Sequence, residues 1–176
     1  MSLVNGLPAH VLLVHVVVVL VPLVALALVI CALWPSVARR LGVLLPLLAL
    51  VALAGVPLTT QAGEWLEKHV ASDTLVRRHA ELGDGLLPWA LGLFVLAAVV
   101  WWASRRPAGT ATDAAPVTTR WTALPVRMTV AVLSVAVAAG AVVDVYRIGD
   151  SGAKAAWHDG FSKTATSTGA EGGNGD

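Results

Sequence analysis

His10 to Trp34 reads HVLLVHVVVVLVPLVALALVICALW. Almost every residue in it is Val, Leu or Ala, and the first Asp, Glu, Lys or Arg of the chain is Arg39. A helix needs about 20 such residues to cross the hydrocarbon core of a bilayer. Further charge-free runs lie between Arg40 and Glu64, between Asp84 and Arg105, and between Arg127 and Asp144. The last is short, but Arg127 can snorkel and Val145 and Tyr146 extend it. A backbone in lipid must satisfy its own hydrogen bonds, so runs of this length become helices. The expected fold is all-α: a four-transmembrane-helix bundle with spans at about 9–34, 41–62, 85–103 and 127–146. These spans form one membrane domain over 1–160. The Gly-, Ser-, Thr- and acid-rich segment 161–176 is expected to be a disordered tail. The first run is too long, and lacks the basic leader, for a cleaved signal peptide.

The tryptophans give the same picture independently. Trp34, Trp101 and Trp102 fall at one end of their spans, with Trp121 just before the fourth. Trp65 and Trp89 fall near the other end, with Trp157 beyond the fourth. Tryptophan favours the headgroup level, so these are two aromatic belts.

Orientation follows from arginines beside the span ends. Arg39 and Arg40 occupy the first loop, and Arg105, Arg106, Arg120 and Arg127 the third, against the single acid Asp113. Lys and Arg tie at six on each side, so density near the spans decides. Both loops are expected to be cytoplasmic and both termini extracytoplasmic. Heavy use of Ala, Val, Leu and Arg suggests a bacterial source, and hence a multi-pass protein of the plasma membrane.

Several function classes are disfavoured. A formal charge of +1 implies no nucleic-acid partner. Cys31 is the sole cysteine, which rules out an internal disulfide and a Cys-rich metal motif. No P-loop or dinucleotide fingerprint occurs. No nucleophile, base and orienting acid fall into a recognisable pattern, so no catalytic residue is assigned and an enzyme is not expected. The inner halves of the spans hold few polar residues, chiefly Cys31, Thr129 and Ser134, whereas a transport route would need more.

The histidines carry what chemistry remains. His10, His15, His69, His79 and His158 all fall on the outer side of this topology. Histidine is the side chain best suited to hold a metal or haem iron. His15 lies inside an apolar span, where an ionisable group is costly. The bland alternative is an interfacial His satisfied by a neighbour such as the Thr59, Thr60, Gln61 cluster. His10 and His15 differ by about 140° around the helix, so they do not share a face. Ser72 or Asp73 is expected to cap a helix that runs through His79 into the third span, with a kink at Gly83 or Gly85. In a straight helix His79 stands about 9 Å above the span and His15 about 3 Å below its boundary. A shared iron therefore needs the kink, or His10 in place of His15. A zinc or copper site needs more ligands and would recruit His69, His158 or a carboxylate such as Glu81. Asp144 is expected to pair with Arg147, three residues on.

Three short motifs give a resemblance. They are Pro8-Ala9-His10 through His15 at the start of the first helix, His79-Ala80-Glu81-Leu82-Gly83-Asp84 before the third, and Tyr146 through Trp157 after the fourth. Together they resemble the bacterial four-helix membrane family catalogued as domain of unknown function 2231, over most of residues 5–160. Val11 stands where that family often has Pro. The resemblance implies four spans and, since some relatives are joined to redox modules, a redox membrane partner. The sequence thus supports two readings. One is a protein binding haem b or a metal through His10, His15 and His79 for electron transfer. The other is a cofactor-free structural or accessory membrane subunit.

Overall fold

The computed structural model describes residues 3–4, 7–69, 73–105 and 124–157. The third loop's connector, the C-terminal tail, Trp121 and His158 lie outside them. A minimal hairpin, β1 (Leu3–Val4) with β2 (Leu7–Pro8), leads into the helices. The rest is helical: α1 (Ala9–Leu33), α2 (Pro35–Leu41), α3 (Leu44–Glu67), α4 (Thr74–Asp84), α5 (Leu86–Arg105) and α6 (Leu124–Trp157). Four helical stretches are long and apolar enough to cross a membrane: α1, α3, α5 with α4 leading into it, and α6. The protein is a multi-pass membrane protein of helical-bundle architecture.

Each long helix buries one narrow stripe. In α1 it is Val17, Val21, Val24, Leu28 and Cys31; in α3 Leu45, Ala49, Ala52, Val56 and Thr59. In α5 it is Leu86, Ala90, Leu93, Ala97 and Val100; in α6 Ala131, Ser134, Ala138, Ala141, Val145 and Ile148. Steps of three and four alternate in every stripe, which is the geometry of nearly parallel or antiparallel helices crossing at a shallow angle. Alanines make up much of the stripe because close backbone approach drives association where lipid is as apolar as leucine. Small size alone does not place a residue there. Ala54, Ala136 and Ala139, which as small residues suggest helix contacts, are exposed, because their helical phase turns them toward lipid. The large outward side chains, such as Val19, Leu26 and Val132, form the lipid-facing surface.

Two elements differ from the sequence expectation. The first loop is itself a helix, α2, begun by Pro35 at its first turn and closed by Gly42 at φ 54°, a conformation that favours glycine. Arg39 and Arg40 occupy its last turn, where cations complement the helix dipole. The fourth helix runs past the expected end near 146 to Trp157. Its 34 residues measure about 51 Å, against about 30 Å of hydrocarbon. The overhang is continued by the Lys154–Asp150 pair at 2.7 Å and by α4, which packs along it.

Candidate functional site

The site lies at the end of the bundle where α1 starts, α3 ends and α4 meets the overhang of α6. Asp73 caps α4, its carboxylate accepting from the Leu75 N–H at 3.3 Å. The helix then runs through His79 to Gly85, where it breaks before α5. Asp73 is one of the two caps expected from the sequence, and the α-helical hydrogen bonding is interrupted at Gly85, whose backbone stays in the right-handed helical region at φ −65°. Beyond the bundle, α4 packs against the overhang of α6.

This packing brings His79 to α6. Its Nδ1 lies 3.1 Å from the Ile148 carbonyl and 3.0 Å from Ser151 Oγ, whose own hydroxyl donates to the same carbonyl at 2.8 Å. A carbonyl only accepts, so Nδ1 carries the proton. Gly152 makes room for the ring: a Cβ there would stand 2.9 Å from the imidazole.

His10 repeats the arrangement on the other wall. Its Nδ1 donates to the Thr59 carbonyl at 3.0 Å, and a Cβ on Gly63 would stand 3.1 Å from its ring. Both imidazoles are half-buried, with ring centres 6.3 Å apart and planes at 84°. In a neutral imidazole a proton on Nδ1 leaves the Nε2 lone pair free to accept or to ligate. The two Nδ1 bonds therefore fix both tautomers, as the outer hydrogen bond of a ligand histidine does.

The other histidines stand apart. His15 is exposed, and its Nδ1 donates to Val11 O one turn back on its own helix. The partner expected for it on α3 is taken instead by His10. His69 is exposed, stacked on Trp65 at 4.0 Å and bonded to the Trp65 carbonyl at 2.7 Å. His158 lies outside the described residues. Among the described residues no three His, Cys, Asp or Glu side chains come together to hold a metal ion.

Asp144 does not make the expected pair. Its Oδ2 is buried without a hydrogen-bond partner, and it feels Arg147 only through space. It points toward the start of α5, 3.7 Å from where a Cβ of Gly85 would be. Arg147 instead turns to the surface groove between α4 and α6.

Sequence reading selected His10 and His79 but not what holds them: the Thr59 and Ile148 carbonyls, Ser151, Gly63 and Gly152. The available signal was an isolated glycine inside a helix, which calls for a packing reason. The motif from Tyr146 to Trp157 contains Ile148, Ser151 and Gly152, so its content is the seat of His79.

The family model described as predicted membrane protein (DUF2231) matches residues 6–165, which include every residue of this site. The chain belongs to the DUF2231 family. Comparisons with curated proteins and with solved structures find no match.

Proposed function

We propose that this DUF2231 protein holds a metal centre between His10 and His79, at the extracytoplasmic end of its bundle, and passes electrons to a redox partner in the membrane. The observation that carries the reading is the pair itself: two neighbouring imidazoles with ring centres 6.3 Å apart, set edge to face, each with Nδ1 engaged and Nε2 free. A metal–nitrogen bond is about 2 Å, so imidazoles at this separation are close enough that both would be able to reach one metal. A lone zinc ion usually requires three or four protein ligands, whereas haem iron receives four from its own macrocycle. The two-histidine set therefore favours haem b. When bound, haem supplies a one-electron couple. The chain's part is to orient both imidazoles through the Thr59 and Ile148 carbonyls, and to exclude water with the wall of α3 and α6.

Protein purified from haem-supplied cells should give a sharp visible α band on dithionite reduction. A colourless protein, free of transition metal by elemental analysis, would leave the histidines a purely structural role.

The extracytoplasmic assignment rests on Arg39 and Arg40 in α2 and on the arginines flanking the third loop. A cysteine placed at Ser36 should react with an impermeant thiol reagent only after the membrane is opened. Labelling on intact cells would invert the topology and put the histidine pair on the cytoplasmic side.

A further inference from the structure

The α4–α6 overhang holds a surface groove of about 170 Å³ that the histidine reading does not use. Its membrane-ward end is formed by Leu82 and the exposed Tyr146, beside the ends of the charge-free runs at Asp84 and Asp144. Farther from the membrane come Arg78 and Arg147, then Asp150, Ser151 and Lys154, with Leu75 of α4 at the outer end.

The charges do not balance. Asp150 is engaged by Lys154 at 2.7 Å. Among the described residues neither Arg78 nor Arg147 has a carboxylate within salt-bridge distance, the remaining surface pair being Arg77 with Glu81 at 3.9 Å. The nearby Asp144 acts on Arg147 only through space. Two guanidinium groups thus line the middle of a groove that has Leu82 and Tyr146 on its bilayer side and Leu75 at its outer end.

We infer that this groove seats the phosphate headgroup of an anionic phospholipid, clamped by Arg78 and Arg147, with its glycerol and upper acyl chain against Leu82 and Tyr146. Leu82 and Tyr146, on the bilayer side of the two arginines, give the acyl side of such a lipid an apolar surface. Guanidinium groups match phosphate oxygens in bidentate geometry, and basic residues at this depth attract anionic lipid. A zwitterionic lipid brings its own ammonium group, which the two arginines repel, whereas an anionic lipid offers the phosphate charge without one. The inference does not depend on a metal between His10 and His79, although Ser151 borders the groove and also contacts His79.

Native mass spectrometry of protein extracted from phosphatidylcholine nanodiscs, with and without phosphatidylglycerol, tests it. The wild type should retain phosphatidylglycerol adducts in preference to phosphatidylcholine. Arg78→Gln and Arg147→Gln should each reduce that retention about fivefold. Arg77→Gln, which leaves the groove intact, should not, and melting curves should show all three variants folded. Millimolar inorganic phosphate should fail to displace the adduct. Equal retention of the two lipids would overturn the assignment. So would retention unchanged in both groove variants, or displacement by phosphate alone, which would mark an ion site without a lipid.

Discussion

Gly140→Leu is expected to lower the melting temperature of the detergent-solubilised protein by about 10 °C, corresponding to about 3 kcal/mol for a chain of this size. The cause is contact between α5 and α6. The indole of Trp89 lies on Gly140 so closely that a Cβ there would come within 2.2 Å of ring carbon Cζ3 and 2.4 Å of Cη2. Trp89 cannot stay in place once any side chain is added, and its movement opens the seam lined by Ala90, Leu93, Ala138 and Ala141. Val18→Leu adds bulk on a lipid-facing position and should melt within about 1 °C of wild type. Matching curves for Gly140→Leu and wild type would mean that the α5–α6 seam is not packed as described.

His79→Ala should have two effects at once. It removes one of the two imidazoles proposed to hold the metal centre, so the α band should vanish. It also loosens α4, which has no fully buried residue and is fastened to α6 by the His79 bonds to Ile148 and Ser151 in addition to its packing along that helix. A hydrogen bond of this kind contributes about 1 kcal/mol, so amide exchange across residues 74–84 should accelerate about fivefold while the core of α6 stays protected. Glu81→Gln removes only an exposed pair at 3.9 Å and should leave exchange in α4 unchanged. Unchanged exchange in His79→Ala would show that the histidine does not fasten the helix.

Much of the architecture could be read from charge alone. The four apolar runs and a cap at Ser72 or Asp73 were legible because each has a local cause: hydrocarbon thickness and an unpaired N–H. What was not legible is the phase of the helices. In water a helix marks its buried face by hydrophobicity, but here Val17 and Val19 are the same residue, one buried and one facing lipid. Without that contrast, depth singled out His15 as the costly ionisable group. In the structure His15 satisfies itself on its own helix, and His10 faces His79 instead. The extension of α6 to Trp157 was hidden for a related reason. Its polar overhang reads as a tail unless α4 is known to pack along it.

The central claim is that His10 and His79, and not His15, form the functional pair. The most direct measurement is the dithionite-reduced visible spectrum of His10→Ala beside that of His15→Ala, both expressed with haem supplied. His10→Ala should lose the α band, and His15→Ala should keep it at wild-type intensity. A band retained in His10→Ala and lost in His15→Ala would contradict the pairing.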